Sequence, residues 1–93
     1  MTKAEFQKLK LDGVFLFYSN LCKQCEAVKT ELVRRVPNVN YILCDEDPDF
    51  YWKIHNVDMI PCVRFYENGV MTYEKIYKLE VADYDKLLEL STK

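Results

Sequence analysis

Histidine, glycine and proline are all scarce in this chain, and so is any excess of charge of one sign. His55 is the only histidine. A closed zinc site needs a second ligand pair, such as another C-x-x-C or an H-x-x-x-H, and none exists. Thirteen Lys and Arg face fifteen Asp and Glu, interleaved along the chain, for a net charge of −2. That balance leaves no basic footprint for nucleic acid and no reason to invoke a polyanionic partner. No apolar run approaches membrane-spanning length, and the start, Met1-Thr2-Lys3-Ala4-Glu5-Phe6, has no apolar signal core. The chain is therefore expected to use no membrane, to work in the cytoplasm and to be a monomer. In that setting four cysteines read as redox or metal chemistry rather than structural staples.

Only Gly13, Gly69, Pro37, Pro48 and Pro61 punctuate the sequence, and there is no linker, repeat or low-complexity stretch. Residues 1–93 read as one small domain. An apolar fraction of 49%, including one Trp, seven Tyr and five Phe, is ample for a single core.

Ala4 to Leu11 reads as a short helix with Phe6, Leu9 and Leu11 inward. Val14 to Tyr18 is an unbroken apolar run, as expected of a strand covered on both faces. From Lys23 to Val36 the spacing is helical, with Cys25, Val28, Leu32 and Val36 sharing one face. Pro37-Asn38 stops that helix, and Val39 to Cys44 reads as a second strand. Asp47 caps a helix that starts at Pro48 and runs to about His55. Cys62 to Glu67 and Val70 to Ile76 read as strands joined by the hairpin signal Asn68-Gly69. A closing helix spans about Glu80 to Leu90, with Tyr84, Leu87 and Leu88 on one face. Right-handed crossover puts the second strand beside the first and parallel to it, and the terminal hairpin then joins antiparallel on the other side.

Within that order, Cys22-Lys23-Gln24-Cys25 sits on the turn from the first strand into the second helix. Two thiols at that spacing can close a disulfide with little chain movement and open it again. The helix N-terminus stabilises negative charge, which suits the first sulfur to act as a thiolate. Cys25 falls on the buried helix face, and Cys22 is the accessible sulfur. The placement points to thiol–disulfide chemistry.

With these residues in place, the chain resembles the thioredoxin superfamily over nearly its whole length. The strand–CxxC–helix unit is Val14 to Val36. Ile60-Pro61-Cys62 stands where the family has its cis-proline, and Phe65-Tyr66-Glu67-Asn68-Gly69 is its hairpin. The resemblance implies an α/β, thioredoxin-like fold: a four-stranded mixed sheet flanked by helices, without the extra N-terminal strand of full thioredoxins. It implies that Cys22 attacks, Cys25 resolves, Pro61 is cis, and Ile60 and Pro61 receive the substrate backbone. The size is close to that of glutaredoxins and the small redoxins that serve ribonucleotide reductase. There are departures. Leu21 precedes the motif where thioredoxins have Trp, Lys23-Gln24 replaces Gly-Pro, and Leu16 and Tyr41 stand in place of the buried Asp and its Lys. Tyr77 stands where thioredoxins have a glycine, and the Gly-Gly pair of glutaredoxins is missing from Ile76-Tyr77-Lys78. A tyrosine there closes the approach of a ligand backbone or offers a stacking surface.

Other polar and aromatic residues read more plainly. Lys23 is a solvated first-turn lysine that could also modulate Cys22. His55 suits a surface helix position, Trp52 packs or shields a face, and Tyr66, Tyr73 and Tyr84 suit element surfaces. Asp45-Glu46-Asp47 reads as loop and cap. Cys44 and Cys62 lie at the sheet edge that holds Cys22, with the first strand between them. Their backbones are then about 9–10 Å apart, beyond the disulfide limit of about 7 Å. Each reads as a small buried apolar residue, with Cys62 a possible third thiol beside the active pair.

The sequence therefore predicts a thiol–disulfide oxidoreductase acting through Cys22 and Cys25, with Ile60, Pro61 and Tyr77 binding substrate and Lys23, Gln24 and Cys62 modulating the pair. It needs no cofactor. Its partners would be a disulfide-containing protein, with ribonucleotide reductase one candidate, and a thioredoxin-reductase-type or small-thiol electron donor. Its potential would fall between about −270 and −180 mV. Two alternatives stand beside it: a metal- or Fe–S-binding protein using Cys22, Cys25 and Cys62, and a non-catalytic interaction module on the same scaffold.

Overall fold

Val14, Phe15, Leu16 and Phe17 are four consecutive apolar side chains, and all four are buried in the computed structural model, which describes residues 1–92. They belong to β1 (Gly13–Tyr18), an inner strand of a four-stranded sheet. On one side β1 pairs in parallel with β2 (Asn40–Leu43), Phe17 lying beside Ile42. On the other it pairs antiparallel with β3 (Cys62–Glu67), Phe17 lying beside Cys62. β3 pairs antiparallel with β4 (Val70–Ile76), giving the order β2-β1-β3-β4 expected from the crossover rule. Asn68 and Gly69 both take positive φ, 52° and 85°, as the two-residue hairpin turn requires.

Because side chains alternate across a strand, the sheet has two apolar faces. Val14 and Leu16 of β1, with Val63 and Phe65 of β3, meet Val28 and Leu32 of α2 (Lys23–Arg35) and Tyr84, Leu87 and Leu90 of α4 (Val81–Ser91). Phe15, Phe17, Ile42, Cys62 and Tyr66 face the other way. They meet Phe6 of α1 (Lys3–Lys8) and Tyr51 of α3 (Pro48–His55). Phe6 lies edge-on to Phe15, Phe17 and Phe50 at ring separations of 5.8–6.3 Å, which anchors a helix too short to hold itself. Burying each such ring stabilises the fold by about 1.5–3 kcal/mol.

The strands and α3 follow the sequence reading closely, and several side chains do not. α1 ends at Lys8, not Leu11, because Leu9 turns extended while its N–H bonds the Phe6 carbonyl at 3.0 Å. Leu9 and Leu11 still reach the core, from an extended path. β2 is shorter than Val39–Cys44, with Cys44 tied instead by its N–H to the Tyr18 carbonyl at 2.9 Å. On α4 the buried strip is Tyr84, Leu87 and Leu90, three residues apart, and Leu88 falls outside it and is exposed. Tyr66 and Tyr84 are core residues rather than surface ones. His55 is half-buried against Phe6 and Phe50, at ring separations of 4.9 and 5.3 Å, and burial pushes its pKa down. Trp52 packs little: it is 54% exposed.

Arg64 has no counterpart in the sequence reading. It points into the α1–α3 face and is 4% exposed, yet fully partnered. Its Nε donates to Glu74 on β4 at 2.8 Å, Nη1 to the His55 carbonyl at 2.6 Å and Nη2 to the Asn56 carbonyl at 3.1 Å. Tyr66 Oη completes the set at 3.0 Å. One guanidinium thus closes the C-terminus of α3 and ties it to two strands.

Candidate functional site

The turn after β1 is fixed by short polar contacts before the cysteines arrive. The Asn20 N–H donates to Asp45 at 3.1 Å, the Leu21 N–H to Ser19 Oγ at 3.1 Å and the Cys22 N–H to the Ser19 carbonyl at 3.3 Å. Cys22 is then the N-cap of α2, with extended backbone (φ −112°, ψ 111°), and its Sγ accepts the N–H of Cys25 at 3.2 Å. This is a cysteine in the position normally held by Ser or Asp, with a backbone donor aimed at its sulfur. Cys22 is partly exposed, and Cys25, one turn in, is buried. The division of accessible and buried sulfur is the one read from helical spacing.

Burial pushes the Cys25 thiol up to about 12, and the neighbouring Cys22 sulfur pushes in the same direction. The Ser19 backbone opposes them by hydrogen bonding. No carboxylate lies beneath the pair in β1, since Leu16 fills that place at 0% exposure. Tyr41 is half-buried and its hydroxyl is pushed up by burial. Lys29, one turn beyond Cys25 on α2, lies over the rings of Tyr18 and Tyr41 at 4.5 and 5.7 Å and donates to Tyr18 Oη at 3.4 Å. It lines a small pocket with Tyr18, Glu26 and Cys22. The sequence reading missed Lys29, although its spacing of four from Cys25 was there to find.

Ile60-Pro61 is a cis peptide at the start of β3, with Pro61 buried and Ile60 half-exposed. The Pro61 carbonyl accepts the Tyr77 N–H at 2.7 Å. Tyr77 is 54% exposed and has φ +66°, in the left-handed region. The other non-glycine residues with positive φ are Asn38, Asn56 and Asn68, a residue type that tolerates it; Tyr77 does not. The backbone at this loop thus keeps a glycine-like conformation while carrying a large side chain. Lys23 is exposed and Gln24 half-buried on the first turn of α2.

Cys44 and Cys62 both belong to the α1–α3 face, with β1 between their strands. Burial pushes each thiol up to about 12, and Cys62 Sγ lies 3.5 Å from the Glu74 carboxylate. Cys62 therefore turns away into the core rather than toward Cys22 and Cys25. Among the described residues no three His, Cys, Asp or Glu side chains converge as metal ligands, so the donor set Cys22, Cys25 and Cys62 does not assemble. No described helix is long and apolar enough to cross a membrane.

No family model matches the sequence, and no curated protein is significantly similar to it. Solved structures are. Thioredoxin O2 from Arabidopsis thaliana in the oxidized state superposes with a TM-score of 0.72 at 24% identity, covering 99% of this chain and 90% of that one. Thioredoxin 1 from Thermosipho africanus gives 0.66 at 18% identity, covering 87% of this chain and 99% of that one. A mutant thioredoxin from Halobacterium salinarum gives 0.67 at 17% identity, covering 98% and 87%. At such identities the likeness is one of fold. The four-stranded mixed sheet, the helices on its two faces and these superpositions agree: the chain has the thioredoxin fold.

Proposed function

We propose that the protein is a thiol–disulfide oxidoreductase working through Cys22 and Cys25. The observation that carries this is the N-cap placement of Cys22, with its sulfur accepting the Cys25 N–H at 3.2 Å and a second thiol buried one turn behind it. In the reductive direction, the Cys22 thiolate attacks one sulfur of a partner disulfide whose chain lies along Ile60-Pro61. A Cys22–partner disulfide forms and the other partner sulfur leaves as a thiolate. Cys25 then loses its proton and attacks the Cys22 sulfur. The Cys22–Cys25 disulfide forms, and the second partner sulfur leaves as a thiolate. Both partner thiolates take up protons, one of them the proton Cys25 gave up. Two electrons pass from the pair to the partner.

Nothing in β1 serves as base for Cys25, but its own surroundings change during the reaction. Part of what holds its proton is the adjacent Cys22 sulfur. Once Cys22 is tied in the mixed disulfide, that charge and hydrogen bond are gone, while the Ser19 backbone contact remains. Burial, the largest cause, still holds the Cys25 pKa up at that point, but the share due to Cys22 is gone and the proton leaves more easily than in the free chain. No cofactor takes part. Electrons would return from a thioredoxin-reductase-type protein or a small thiol, and the partner would be a disulfide-bearing protein.

The test is a trap. With a model protein disulfide as substrate, Cys25→Ser should accumulate a mixed disulfide at Cys22 visible by mass spectrometry. Cys22→Ser should form none, and the reduction rate of either variant should fall by at least about a hundredfold. A Cys22→Ser chain that still reduces the substrate would overturn the assignment.

A further inference from the structure

Cys22, Glu26 and Lys29 follow one another at spacings of four and three, so their side chains form one stripe along α2. Lys29 starts about 10 Å up the helix from Cys22, and helical side chains lean back toward the N-terminus, which carries its ammonium toward the sulfur. With Tyr18, Ser19 and Asn20 the three line a hollow of about 150 Å³. That hollow shares only Ser19 with the one that reaches Ile60, and it touches neither Ile60 nor Pro61. Cys22 is therefore open to a ligand from a side that a protein partner lying along Ile60-Pro61 leaves free.

Glu26 and Lys29 stand three apart on a helix, a spacing at which opposite charges ordinarily pair. Here they do not: neither belongs to a salt bridge among the described residues. Lys29 is drawn instead over the rings of Tyr18 and Tyr41, at 4.5 and 5.7 Å, and one of its three donors goes to Tyr18 Oη at 3.4 Å. An ammonium held in place and an unmatched carboxylate thus share one hollow with the reactive sulfur. A wholly anionic ligand would meet Glu26 as a like charge, and a wholly cationic one would meet Lys29. The volume lies below the roughly 300–1,000 Å³ of drug-sized sites and suits a group the size of one amino acid.

We propose that this hollow binds one half of a small zwitterionic disulfide of the amino-acid type, its carboxylate on Lys29 and its ammonium on Glu26, with its sulfur at Cys22. The inference rests on the proposed disulfide exchange and names the class of small thiol that takes part in it. With cystine, the Cys22 thiolate attacks one sulfur and the S–S bond breaks. One cysteine leaves as a thiolate and takes up a proton, while the other stays bonded to Cys22 with its charged groups on Lys29 and Glu26. Cys25 then gives up its proton and attacks the Cys22 sulfur. The second cysteine leaves as a thiolate and is protonated in turn, and the Cys22–Cys25 disulfide remains. Two electrons pass from the pair to cystine. Run backward, the same contacts admit the amino-acid thiol as a donor that reduces the pair.

The test mixes the reduced protein, in single turnover, with disulfides that differ in charge. Cystine is zwitterionic, cystamine cationic, dithiodiglycolate anionic and hydroxyethyl disulfide neutral. Each rate is divided by that of dithiothreitol with the same compound, which removes the compound's own reactivity. On that scale cystine should exceed hydroxyethyl disulfide about four- to twentyfold, with cystamine and dithiodiglycolate both below cystine. Lys29→Gln and Glu26→Gln should each lower the ratio of cystine to hydroxyethyl disulfide about two- to fivefold. Lys29→Gln should at the same time raise the relative rate of cystamine, and Glu26→Gln that of dithiodiglycolate. A merely structural effect of either change would not sort the four compounds by charge. Equal relative rates for all four overturn the inference and leave the disulfide exchange standing. So does a cystine rate no higher than that of cystamine or dithiodiglycolate, or a cystine ratio that neither variant moves. A reduced protein that none of the four oxidises overturns the exchange itself, and this inference with it.

Discussion

Tyr77 carries a bulky side chain on a backbone at φ +66°, a conformation that crowds Cβ against the following carbonyl. Its N–H nevertheless bonds the Pro61 carbonyl at 2.7 Å, which keeps the loop against the cis-proline. Removing the Cβ should relieve the crowding without losing that bond. Tyr77→Gly should therefore stabilise the chain by about 0.5–1 kcal/mol, the left-handed cost less the added chain entropy of glycine. Tyr77→Ala, which keeps the Cβ, should not. Urea unfolding of the two variants decides it, and equal midpoints would mean that the tyrosine ring, not the backbone, sets the energy at this position. Tyr77 was legible in the sequence as a departure from glycine; its conformation was not, because nothing in Ile76-Tyr77-Lys78 signals a positive φ.

At the scale of elements, sequence and structure agree where one local rule decides. Pro48 behind Asp47 starts α3, Asn68-Gly69 makes the hairpin, and four apolar residues in a row mark β1 as buried on both faces. The C-x-x-C at a strand–helix junction and the proline before β3 were legible for the same reason. What was not legible depends on distant partners. Arg64 looks like a polar interruption of Cys62–Glu67, and its role appears only when His55, Asn56, Tyr66 and Glu74 come together around it. Trp52 reads from the sequence as packing or shielding a face, yet its position on α3 faces outward beside Tyr51, which took the inward place. Arg64→Ala should be costly, about 1–3 kcal/mol, since it takes the donor away from the His55 and Asn56 carbonyls and uncaps α3, while the exposed Glu74 carboxylate can turn to water. Arg64→Lys should recover little, because one ammonium cannot reach all of those acceptors. Equilibrium unfolding measures both, and a loss below about 1 kcal/mol in Arg64→Ala would show that α3 is held by its apolar face alone.

Over the whole molecule, three of the four cysteines are buried with thiols pushed from about 9 up to about 12, and the cause in each is mainly loss of water. The folded state holds these protons more tightly than the unfolded chain does. Their contribution is complete below pH 9, where both states are protonated, and is lost as pH rises from about 9 toward 12. Each thiol can cost up to about 1.4 kcal/mol per pH unit in that window. The urea midpoint of the reduced protein should be flat from pH 7 to about 8.5 and then fall steeply. A midpoint unchanged at pH 10.5 would mean that these thiols ionise without penalty, and so are not buried in solution.

The most direct test of the account as a whole is redox equilibration in defined thiol/disulfide buffers, with free thiols trapped by alkylation and mapped by mass spectrometry. Cys22 and Cys25 should titrate together as one two-electron couple with a midpoint between about −270 and −180 mV, while Cys44 and Cys62 remain reduced. Failure of the Cys22–Cys25 pair to oxidise, or oxidation of the two sulfurs at separate potentials, would contradict the account.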